Sequence, residues 1–217
     1  MNIQFLIDKR DNSEVIRDQI AAILVLNVAA QMALAVTEGK NPEAWRLRVY
    51  KERSNPWENA SGEISPIVNV WFESSAVDLK ASDTVERQSY SGVFNIDVYG
   101  FGESRGEGAG HVPGDEMAAE EAQRGARLVR NILMASIYTY LELRGVVSRR
   151  MVESVMISQP QADANAIHVV GARIALRVDF LEFSPQYVGQ PLEVLSAKIF
   201  AAEDGQLLVE AEYEHTP

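Results

Sequence analysis

Gly102-Glu103-Ser104-Arg105-Gly106 has the G-x-S-x-G spacing of a nucleophile elbow, where a sharp strand-to-helix turn exposes a serine hydroxyl to a base. Asp163 and His168 follow in an order that a Ser–acid–His triad permits. The surrounding sequence argues against this chemistry. An elbow feeds its serine straight into a helix, whereas here the chain runs on through Gly106, Gly108, Gly110 and Pro113 to Gly114. The strand before the motif alternates in polarity, while the central strand of a hydrolase sheet is apolar on both faces. No enzymatic activity is expected, and serine hydrolysis through Ser104 stands as the alternative from a different functional class.

The same loop, with glycines at 100, 102, 106, 108 and 110, could be taken for a phosphate cradle. It lacks the Lys-Ser/Thr pair of a P-loop, and Glu103, Glu107 and Asp115 would repel phosphate. It reads as a connector between strand and helix. His111, His168 and His215 have no partner at metal-site spacing, and cysteine is absent, so neither a metal nor another cofactor is expected. Arg124, Arg127 and Arg130 recur at i, i+3 and i+6. They form either a solvated helix face or an ion-pairing seam with acidic surface on a neighbouring subunit. Arg144, Arg149 and Arg150 would place cations near the end of that helix. Trp45, Trp57 and Trp71 are read as core or interface aromatics.

The elements that must position these residues follow from periodicity. The chain of 217 residues is 47% hydrophobic and 24% charged, which suits a folded domain rather than a disordered one. Twenty basic residues against 31 acidic ones give a net charge of −11, unfavourable for binding a phosphate backbone or an anionic membrane. The N-terminal sequence lacks the basic start of a signal peptide, and charges interrupt both helical patterns, so no membrane span is expected. A helix should start near Asp11 to Ser13, present Ile16, Ile20, Ile23, Leu24, Asn27 and Leu34 on one face, and stop by Gly39. Strands are expected over 45–50, from Pro66 through Glu73, and over 88–101. A second helix is expected over about 115–142, with Ala118, Ala122, Gly125 and Val129 as a stripe of small residues along it. Strands over 152–157 and 167–183 complete a main domain over 1–184. This order predicts an α+β layer, a mostly antiparallel or mixed sheet flanked by two long helices.

In that layout the chain resembles the tail terminator (tail completion, or minor tail) proteins of long-tailed bacteriophages. The resemblance rests on the helix SEVIRDQIAAILVLNVAA, the proline-started strand Pro66-Ile67-Val68-Asn69-Val70-Trp71-Phe72-Glu73 and the strand ending Asn95-Ile96-Asp97-Val98-Tyr99-Gly100. An Ala- and Arg-rich helix, Val155-Met156-Ile157 and the strand Ala172 through Phe180 continue it. It covers roughly residues 13–183. The loop at 101–114 is longer than the pattern needs, and the segment after Pro185 lies beyond it. The resemblance implies a virion protein of the tail and neck, assembled in the bacterial cytoplasm as a homo-hexameric ring. Such a ring would cap the tail tube protein, end its polymerisation and join the tail to the head connector, with a sheath as a further contact in some tails. DNA would pass through its lumen unbound, and no catalytic residue is carried over. A head–tail stopper or adaptor, or the tube cap of a phage-derived injection system, would be work of the same class.

The segment 185–217 reads as a hairpin about Asp204-Gly205. A two-stranded hairpin alone is marginal in water, so its apolar residues need a surface to cover. Leu192, Val194, Leu195, Ile199 and Phe200 are therefore candidates, with the three arginines, for a subunit interface. The segment either packs back on its own subunit's sheet or forms an arm reaching a neighbouring subunit or the tube; the arm is favoured, because the main sheet is already complete at Phe183.

Overall fold

In the computed structural model, residues 9–54, 56, 66–82, 84, 86–104, 106, 110–158 and 168–184 are described, with the backbone of 194–200 and 207–214. Helix α1 (Asn12–Thr37) starts where the sequence places it, and the Glu14 carboxylate accepts from the Asp11 N–H at 3.2 Å. A 3-10 turn (Pro42–Trp45) leads into β1 (Arg48–Lys51), so the strand expected over 45–50 is shorter than its alternation suggested. Pro66 then opens β2 (Ile67–Val77), and β3 (Arg87–Gly102) follows.

Helix α2 (Gly114–Met134) ends well before Glu142, the expected limit. A second 3-10 turn (Ser136–Tyr138) and a left-handed pair, Leu141 and Glu142 (φ 50° and 58°), turn the chain into β4 (Val147–Ile157). Burial of Leu141 and a 2.8 Å hydrogen bond from Gln19 to Glu142 hold this strained turn. Strand β5 (His168–Phe183) pairs along the full length of β3.

The protein is α+β, with a five-stranded mixed sheet in the order β1-β2-β3-β5-β4 and two helices. Only β1 and β2 run parallel; the other pairs are antiparallel. Val68, Val70, Phe94, Ile96, Val98, Ala172, Ile174, Leu176, Val178 and Phe180 are buried in one core with both helices. From α1 this core takes Ile16, Ile20, Ile23, Leu24 and Val28. Leu34, expected on the same face, is 48% exposed, and Ala35 is buried instead. Asn27 donates to the Tyr138 hydroxyl at 2.7 Å and so links α1 to the turn after α2.

Two contacts seat the helices. At the α1–β1 junction, Asp18 accepts from Arg10, Arg17 and Lys51. Burial works against the Asp18 carboxylate, but these cationic donors outweigh it and hold its pKa well below the usual range. Helix α2 lies on β3 through the expected small stripe: Ala118, Ala122, Gly125 and Val129 are all buried. A Cβ at Gly100 would come within 2.2 Å of the Ala118 carbonyl oxygen and 2.4 Å of the Ala122 nitrogen. The approach of helix to strand therefore requires glycine there.

Contrary to the sequence expectation, α1 is long and apolar enough to cross a membrane, because no charge stands between Asp18 and Glu38. One of its faces is packed on the sheet.

Compact units divide the chain into Ile7–Ser184 on one side and Met1–Leu6 with Pro185–Pro217 on the other. In the second, β6 (Val194–Phe200) and β7 (Leu207–Glu214) pair antiparallel in a two-stranded sheet of their own.

Gly100→Ala is expected to destabilise the protein by about 3 kcal/mol or more, since the obstructing atoms are backbone and cannot rotate away. Gly110→Ala, which meets nothing within 4 Å, is the control and should leave stability unchanged in urea unfolding.

Candidate functional site

Both helices cover one face of the sheet, and the other face carries a cross-strand polar network. Register sets Asn69 and Arg173 opposite Asp97, and Trp71 opposite Asn95. Asp97, 6% exposed, accepts from Arg173 Nε at 2.7 Å and Nη2 at 3.0 Å. It also accepts from Trp71 Nε1 at 2.9 Å and more weakly from the Tyr99 hydroxyl at 3.4 Å. The Arg173 guanidinium lies 5.1 Å from the centre of the Trp71 ring. Burial, reinforced by the Asp97 charge, pushes the Tyr99 phenol up to about 12. The hydrogen bond to Asp97 holds Arg173 more firmly protonated.

Beside this hub, Asn95 donates to Glu73 at 2.7 Å, and Asn69 exchanges two hydrogen bonds with the Arg53 backbone. A second cluster continues across β3, β5 and β4. Ser91 donates to Asp179, which also binds Arg149, and Arg177 bridges Ser91 and Glu153.

Two open clefts of about 360 and 320 Å³ flank the hub. Met156, Ile157 and Ser158 line the first, and Glu52, Arg53 and Ser54 the second. Asp97 Oδ2 accepts from the guanidinium, the indole and the Tyr99 hydroxyl, and Oδ1 accepts from the guanidinium. Among the described residues no group of three His, Cys, Asp or Glu side chains could hold a metal. The carboxylates and guanidinium groups described on this face pair with one another across the strands.

The loop motif has a local role. Ser104 Oγ accepts from the backbone N–H of Gly114, the first residue of α2, at 3.1 Å. His168, opposite Gly102 in the β3–β5 register, also lies against Gly114: a Cβ there would come within 2.5 Å of His168 Cδ2. The fold thus brings the Ser104 and His168 segments together around Gly114, but no hydrogen bond joins their side chains. Asp163 and His215 lie outside the described residues, and the exposed His111 ring is 3.3 Å from the Gly106 carbonyl.

Arg124 pairs within its own helix, with Glu121 Oε2 at 2.5 Å, while Arg127 and Arg130 are exposed. The cations expected at the end of α2 serve elsewhere because the helix stops early. Arg144 lies over the Tyr140 ring, Arg149 binds Asp179, and Arg150 donates to the Ala135 and Tyr138 carbonyls. Of the tryptophans, Trp45 closes the first 3-10 turn, Trp71 serves the Asp97 hub, and Trp57 lies outside the described residues. Val194, Leu195, Ile199 and Phe200 fall in β6, and Leu192 lies outside the described residues.

The Asp97 hub was missed in the sequence because it depends on register. The alternation of β3 marks Asn95 and Asp97 as facing away from the core, but nothing local pairs them with Trp71 or Arg173. No protein-family model matches the chain, and no curated protein matches it either.

Ser104→Ala removes one neutral hydrogen bond at the start of α2. It should cost about 1 kcal/mol in urea unfolding and leave assembly unchanged. A fluorophosphonate probe should not label Ser104; labelling would restore the hydrolase reading.

Proposed function

We propose that this protein is a structural, ring-forming component of a phage-type tail that caps the tail tube and presents a surface to the head connector. One observation carries the reading: among the described residues, two unlike apolar surfaces lie exposed toward opposite ends of the same sheet. Near one end, α1 packs over β1 and β2. Its outer side exposes Ala22, Val25, Leu26, Ala29, Ala30 and Ala33, spaced by threes and fours as one continuous stripe. A cleft of about 410 Å³ lined by Ala22, Val25, Val49 and Tyr50, with Asp18, Lys51 and Arg53 at its charged side, adjoins it. At the other end β4 is an open edge, with Met151, Val155, Met156 and Ile157 about half exposed.

A helix apolar on all sides is ordinarily buried on all sides. Unlike patches at opposite ends favour head-to-tail contacts, which close into rings when the rotation allows. The order of the elements, the sheet with helices on one face and the net negative charge agree with the tail-terminator resemblance. On this reading the C-terminal strand pair is an appended arm, the exposed Arg127 and Arg130 are the cations of the helix seam, and DNA passes through the ring unbound. The half-buried Arg124 has its carboxylate partner within the subunit, so the α1 stripe is the stronger interface candidate.

Mixed with its tube protein, the chain should yield short tubes ending in a ring under negative-stain microscopy. Leu26→Glu alters a side chain that is 62% exposed, so it should fold normally yet lose both rings and capping. Uncapped tubes with the unaltered chain would overturn the proposal.

A further inference from the structure

The five-stranded sheet ends on two edges, β1 and β4, and neither pairs with a further described strand. We infer that the β4 edge of one copy adds to the β1 edge of the next, so that one sheet continues from subunit to subunit. This contact rests on the assembly reading above and is the one that would join successive subunits.

Strand direction permits it. Strand β1 runs parallel to β2 and the other three pairs are antiparallel, so β1 and β4 of one copy run in opposite directions. A head-to-tail neighbour, keeping the same faces and the same strand direction, therefore meets β4 with an antiparallel β1. The main-chain groups also match. Arg48 and Glu52 N–H donate to the Pro66 and Val70 carbonyls, so by alternation Val49 and Lys51 turn theirs away from β2. Ser158 N–H donates to the Gly171 carbonyl, so Val155 and Ile157 turn theirs away from β5. Setting Val49 against Ile157 and Lys51 against Val155 satisfies both outward pairs in one antiparallel register. It uses residues 154–157, a stretch of β4 without a register shift and as long as β1.

That register joins like with like on each face. Val49 and Ile157 lie on the helix side, beside Val68 and Ala172 of the core. Tyr50 and Met156 lie on the open side, beside Asn69 and Arg173. Val155 and Ile157 are 45% and 47% exposed although they stand on the helix side. The next copy's α1 packs over its own β1 and turns Ala22 and Val25 toward the cleft there, so it would supply the missing cover.

Charges agree with the same register, which sets Arg53 toward Glu153. Arg53 lies over the Tyr50 ring and Glu153 accepts from Arg177, both on the open side, so the two can meet without giving up these partners. Lys51 keeps its ammonium on Asp18, and Glu52 stays with Arg17. Arg149 remains with Asp179, beyond the four-residue ladder.

Within one copy β1 and β4 are four strand spacings apart, about 19 Å, so a disulfide between them can only join two copies. The chain has no cysteine of its own to interfere. Mildly oxidised, full-length Tyr50→Cys with Met156→Cys should give a ladder of covalent oligomers. Its yield should be roughly tenfold that of Tyr50→Cys with Met151→Cys, because docking raises the effective concentration at one register only. Met151 is exposed on the same face of β4. Lys51→Cys with Val155→Cys is a second pair in the predicted register. Rings that form under reducing conditions but show neither crosslink on oxidation would overturn the inference and leave the assembly reading standing. No rings from the unaltered chain and no crosslink from either pair would remove both. Equal crosslinking of Met156→Cys alone would mean that β4 pairs with itself, and the inference fails.

Discussion

A five-stranded sheet covered by helices on one face has three surfaces left to manage: one broad face and two edges. Backbone N–H and C=O groups along an edge, and side chains on an uncovered face, must be satisfied by something. Most of what distinguishes this protein follows from that constraint. The covered face is conventional, with β-branched and aromatic residues of β2, β3 and β5 meeting the apolar sides of α1 and α2. Its tightest point is the approach of α2 to β3 at Gly100, which fixes where the second helix can lie.

The uncovered face is kept in order by charge pairing within the sheet itself. Asp97 is nearly as buried as a core residue although no helix lies above it. Trp71 and Arg173 supply the cover, one as an apolar lid with a donor and the other as a bidentate cation. Removing the carboxylate would leave a guanidinium and an indole N–H without their acceptor, so the three side chains stand or fall together. The Asp179 cluster repeats the solution toward the other end of β3 with more exposed groups. On this face carboxylates and guanidinium groups largely offset one another.

Much of this architecture was legible in the sequence, because alternation and threes-and-fours spacing mark which face of each element is apolar. Strand β5 and the small stripe of α2 were found for that reason. The early end of α2 was not, since apolar residues continue past Met134 while the backbone turns. Leu143, Val146 and Val147 pack on the core from that turn and from β4, and Ile137 is 77% exposed. The left-handed Leu141–Glu142 pair has no glycine to announce it. The Asp97 hub could not be read because it joins three strands far apart in sequence. The outer stripe of α1 was also missed: alanines beside valine and leucine look like core until the sheet is seen to occupy only one side of the helix.

Among the described residues the β4 edge and the α1 stripe are left uncovered, and the proposed self-assembly would use both. Native mass spectrometry of the full-length chain at micromolar concentration tests this most directly. The account predicts one closed oligomer, hexameric as the tail-terminator resemblance implies. A chain that remains monomeric under those conditions would contradict it.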